Sequence, residues 1–155
     1  MDWRPPGWRH LPKEGLEDWT EKVFYALFEV SILALPALLL TSATGPNVIG
    51  QAFGASIALL TLVLGIATAR SEYDPVGIDW PRLSPAAVLA RVVWYNGAIA
   101  LAGFGGRAID LLTVERLGTV GFAVAVSIVA IVTLPRFAAA FRRLLGWWTW
   151  GRPFP

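Results

Sequence analysis

The chain of 155 residues is 55% hydrophobic and only 15% charged, with a formal charge of +2 and a mean hydropathy of +0.57. That balance fits one lipid-embedded domain and excludes a nucleic-acid binder, because the few basic residues form no run interleaved with exposed aromatics. It contains no cysteine, which removes disulfides, thiolate nucleophiles and thiolate metal sites.

The charges lie in islands: residues 1–22, 70–84, 106–116 and 136 onward. Between the islands run apolar stretches of about 20 residues, enough to cross a hydrocarbon core of roughly 30 Å as a helix. The pattern predicts an all-α integral membrane protein: four transmembrane helices in an up-down bundle over 23–135, a tail at 1–22, and an amphipathic tail at 136–155 that offers a short interfacial helix.

The N-terminal tail, "MDWRPPGWRHLPKEGLEDWTEK", has acids and prolines where a signal peptide needs an apolar core. Its lone histidine, His10, reads as a solvated or interfacial side chain rather than a ligand, and Trp3, Trp8 and Trp19 read as interfacial anchors. Glu17, Asp18 and Glu21 favour a helix start that leads into span one, 23–44. Pro36 is expected to kink that span. "TGPN", 44–47, is a turn.

Span two, 47–69, carries Gly50, Gly54 and Ala58 at four-residue spacing, a small-residue stripe suited to close helix packing. A loop with three prolines follows, and Ser84-Pro85 opens span three, 85–105, with Gly97 midway. Span four, 117–135, adds Gly121 and Ala125 to the packing candidates. Beyond Pro135, Phe137, Phe141, Leu144 and Leu145 share one helical face, with Arg136, Arg142 and Arg143 opposite. A helix lying in the membrane surface fits that wheel, and so does a plain continuation of span four. Trp147, Trp148 and Trp150 complete the set of interfacial anchors.

Lysine and arginine number ten on the side of the two tails and the 70–84 loop, against two in the loop after span three. By the positive-inside bias both termini are expected in the cytoplasm, and four spans require the ends to share a side.

Glu29 is the anomaly, a carboxylate inside span one. A charge at depth costs several kcal/mol unless it meets a partner or water. Arg91 enters span three from the same side to a similar depth, so the two are expected to form an intramembrane ion pair, with the guanidinium fork facing the carboxylate. Two alternatives stay open: Arg91 snorkels to the interface, or Glu29 is protonated and bonds to Asn96, Tyr95 or a carbonyl.

Nothing in the chain spells a reaction. G-x-S-x-G and H-E-x-x-H are absent, "GFGGR" at 103–107 lacks a P-loop lysine, and Asp110 and Glu115 read as a solvated patch balanced by Arg107 and Arg116. No enzyme activity, cofactor, metal or catalytic residue is expected.

Two readings follow. The aromatic tails and the single orientation suit a non-catalytic subunit or scaffold of a larger membrane assembly, with the bilayer and other membrane subunits as partners. Four spans with Glu29 in the first and a glycine stripe in the second resemble the small multidrug resistance exporters. That resemblance implies a proton-coupled transporter that exchanges protons at Glu29 for a cationic substrate and works as a homo-oligomer.

Overall fold

A computed structural model describes residues 15–45, 47–71, 85–113 and 116–149, and the described residues contain helix and no strand. Five helices follow in order: α1 (Gly15–Leu33), α2 (Leu35–Ala43), α3 (Val48–Ala69), α4 (Pro85–Thr113) and α5 (Arg116–Thr149).

Acidic Glu17 and Asp18 occupy the first turn of α1, where the helix dipole favours them, and Asp18 pairs with Lys22 one turn on. Pro36 cannot donate to the ladder, and the chain responds with a break rather than a kink: α1 and α2 meet at an angle of 61° through Ala34. α2 ends at Ala43 with Thr44 as its C-cap, Gly45 follows with a φ of +105° that suits glycine, and the Asn47 carboxamide oxygen then caps α3 by accepting from the Gly50 N–H at 3.0 Å.

α3, α4 and α5 are each long and apolar enough to cross a membrane, and the bent pair α1–α2 makes a fourth crossing if it counts as one span. Contacts with α4 run along the whole pair. Glu29 meets Arg91, Leu33 and Ala37 meet Asn96, and Thr41 lies against Gly103, so the broken pair runs parallel to α4 along its length. α5 runs antiparallel, with Thr119 against Gly106 and Ala130 against Trp94. The result is an up-down bundle in which α1 begins and α5 ends at the Arg91 end of α4.

α4 and α5 extend past the expected spans, to Thr113 and through Pro135 to Thr149. The C-terminal segment is thus a continuation of span four, not a separate surface helix, up to the last described residue. α5 runs through Pro135 and α4 through Gly105 and Gly106 without a break, so the helices outlast the apolar stretch.

The core is built mainly of alanine, including Ala26, Ala58, Ala90, Ala102 and Ala123, while Phe24, Phe28, Leu39 and Ile49 face outward. Lipid is as apolar as leucine, so large side chains gain little by moving inward, and small ones let the backbones approach.

Candidate functional site

Three consecutive residues of α4, Trp94-Tyr95-Asn96, organise the centre of the bundle. Neighbours on a helix point about 100° apart. The three therefore reach different elements.

Trp94 donates its indole N–H to the Ala130 carbonyl at 2.9 Å, one turn before Pro135 in α5, and stacks on Phe137 with ring centres 4.2 Å apart. Asn96 inserts into the break of the first span. Its Oδ1 accepts from the Ala37 N–H at 2.7 Å and its Nδ2 donates to the Leu33 carbonyl at 2.7 Å. In an unbroken helix those two backbone groups would bond each other, so the carboxamide stands in for the missing rung. A second contact from Nδ2 reaches the Val92 carbonyl of its own helix.

Tyr95 and its neighbours build the ion cluster. The Tyr95 hydroxyl donates to Glu29 Oε1 at 3.1 Å, Arg91 Nη1 lies 3.2 Å from the same oxygen, and Arg70 Nη2 lies 2.7 Å from Oε2. One carboxylate thus receives donors from α4 and from the C-cap of α3. Arg91 is 2% exposed, whereas the Glu29 and Arg70 side chains are each 19% exposed, so the cluster runs from the core toward the bundle's end. Removing charged groups from water costs several kcal/mol each, which the Coulombic contact offsets only with every hydrogen bond in place. Engaging both carboxylate oxygens serves that need.

Compared with the expected fork, Arg91 reaches Glu29 through one nitrogen, and the other carboxylate oxygen goes to Arg70. Sequence reasoning had counted Arg70 as a loop residue because it follows the last apolar residue of span two. Its position immediately after α3, within an arginine's reach of the bundle, was the signal available. Trp94 gave none beyond its place beside Tyr95.

The small residues divide into two sets. A Cβ on Gly54 would stand 2.8 Å from the Ala102 carbonyl, and one on Gly103 would stand 3.0 Å from the Gln51 carbonyl, so these glycines set the α3–α4 approach. Ala58 is buried, with Ser127 Oγ 3.3 Å from its carbonyl, and Gly50 faces the Asn47 cap. Gly97, Gly121 and Ala125 are exposed on the surface of the single chain, and a Cβ on either glycine would meet nothing within 4 Å. On α5 the buried small face is Ala123, Ser127 and Ala130, shifted by two residues from the expected stripe.

Trp19, a candidate interfacial anchor, donates its indole N–H to Thr68 Oγ1 of α3 at 3.2 Å. Trp3, Trp8 and Trp150 lie outside the described residues, as do the side chains of Trp147 and Trp148 in the last turn of α5. At the opposite end of the bundle the half-buried Asp110 is not freely solvated, since it accepts from the Thr119 hydroxyl of α5.

Among the described residues no group of three or more His, Cys, Asp or Glu is placed to hold a metal ion. The chain is a multi-span helical membrane protein without an assembled catalytic site among those residues. No curated protein and no solved structure matches it. One family does match, over residues 13–141, and the chain belongs to it: the family described as Domain of unknown function (DUF8215).

Proposed function

We propose that this chain is a small proton-coupled membrane transporter, acting as a homo-oligomer, in which Glu29 takes up and releases the proton. The observation that carries the reading is the conjunction of a buried ion cluster with a broken span, four residues apart, on the same helix pair. Ionisable groups inside a bundle and discontinuous helices are both costly, and transporters place their coupling sites where the two coincide. Apolar packing alone would serve a passive scaffold.

The geometry suggests how a cycle would run. A proton on Glu29 neutralises the carboxylate and loosens its hold on the two guanidiniums. Arg70, at the end of α3, is partly exposed and Arg91 is buried, so the Arg70 contact is the one nearer the bundle's end. The opened rung at Leu33 and Ala37 supplies a hinge, because α1 can turn on α2 by exchanging contacts with Asn96 instead of unwinding. Two guanidiniums beside the carboxylate depart from the lone membrane glutamate of the resembled exporters and oppose a cationic substrate at this point.

The test is proton movement in sealed vesicles holding the purified protein and a pH-sensitive dye, with tetraphenylphosphonium or inorganic phosphate added as cationic and anionic probes. Probe-dependent proton movement that disappears in Glu29→Gln supports the proposal. Movement unchanged by that substitution, or none with either probe, contradicts it.

A second reading has one observation in its favour. Both oxygens of Glu29 are already engaged, as a structural staple would require, which suits a non-catalytic subunit of a larger membrane assembly. Native-level purification in mild detergent distinguishes the two: a stoichiometric membrane partner favours the subunit, and a lone oligomer of this chain favours the transporter.

A further inference from the structure

Between α4 and α5 lies an apolar groove of about 360 Å³, lined by Trp94, Gly97 and Leu101 on one side and Phe122, Ala125 and Val129 on the other. Gly97 opens it, since no atom lies within 4 Å of where a side chain would begin. Stepping along α5 from Val129 by four and three residues leads through Thr133 to Arg136, then through Ala140 to Arg143, with both arginines exposed. At about 1.5 Å per residue Arg136 lies roughly 10 Å and Arg143 roughly 20 Å from Val129 along the helix.

We propose that this groove seats one acyl chain of an anionic phospholipid whose phosphate is held by Arg136 and Arg143. Three observations select that occupant. The hydrocarbon half-thickness of a bilayer is about 15 Å, so a chain ending beside Gly97 places its headgroup between the levels of the two arginines. α5 contains no acidic residue from Arg116 to Thr149, so its arginines meet no carboxylate on their own helix. The groove is also too small for a helix, which is about 10 Å across.

The Trp94–Phe137–Phe141 stack, with ring centres 4.2 and 5.7 Å apart, lies to one side of the helical row that runs from Val129 through Thr133 to Arg136. Basic side chains at the membrane surface attract anionic lipids, and an adjoining apolar slot converts that attraction into residence at one place. The inference is independent of the transport reading.

Native mass spectrometry of the full chain, released from vesicles of equal phosphatidylglycerol and phosphatidylcholine with matched acyl chains, tests it. The wild type is expected to retain phosphatidylglycerol about tenfold over phosphatidylcholine. Replacing both Arg136→Gln and Arg143→Gln removes the preference. Gly97→Leu projects into the groove from a position where a Cβ meets no neighbour, and it is expected to reduce retained lipid of both kinds, with Ala125→Phe as an independent filling variant. Equal retention of the two lipids by the wild type, or full retention by both filled variants, overturns the proposal. So does disulfide crosslinking of Gly97→Cys between copies in the bilayer, which would assign the groove to a second chain.

Discussion

Asn96 and Glu29 sit one helix apart and answer the same physical demand, that no polar group in lipid goes unpaired. Asn96 supplies both an acceptor and a donor to backbone groups that Pro36 separates. Replacing it with leucine keeps the volume and strips both partners, so Asn96→Leu is expected to destabilise the protein by about 2 kcal/mol in a detergent unfolding assay. Asn96→Gln, with its amide one methylene further out, should recover only part of that loss. Glu29 and Arg91 were legible in the sequence as opposite charges in parallel spans. The task of Asn96 was not: it serves a break whose depth depends on how far Pro36 bends the chain. Arg70 was hidden for a different reason, because hydropathy assigns a residue to bilayer or loop by its backbone position while a long side chain reaches across that boundary.

At the level of the helices, the four apolar stretches could be read directly, since composition alone determines what lipid accepts. Their ends could not. α4 and α5 continue into polar sequence, α5 through Pro135, because hydropathy marks where the bilayer stops and not where the backbone hydrogen-bond ladder ends. Which face of each helix turns inward was also underdetermined. Glycine and alanine at four-residue spacing occur on more than one face, and only the assembled bundle shows that Gly54 is pressed against α4 while Gly97 is open. The two glycines therefore respond differently to the same change. Gly54→Leu is expected to lower stability by about 1–3 kcal/mol through overpacking against the Ala102 carbonyl. Gly97→Leu should leave thermal stability unchanged within error, and a comparable loss at both positions would contradict the packing described.

The whole molecule is a bundle in which the first helix pair is discontinuous and is fastened to the other helices by buried apolar side chains and by polar contacts. Its up-down order puts the start of α1 and the end of α5 at one end. A chain without native cysteine suits a direct test of that order. Cysteines placed at Leu16 and Leu144 should react with an impermeant maleimide from one side of the membrane, and a cysteine at Leu112 from the other; all three residues are exposed. The charge bias predicts that the shared side is the cytoplasm, and labelling in right-side-out vesicles tests that expectation too.

The central claim is that Glu29 holds the broken first span to the bundle through Arg91, and a double-mutant cycle measures it most directly. Unfolding free energies of wild type, Glu29→Gln, Arg91→Leu and the double variant are compared in one bilayer-mimicking medium. Each single change leaves a buried charge without this partner, so the double variant is expected to lose less than the sum of the two, with a coupling of about 1 kcal/mol or more. Strictly additive losses would contradict the account.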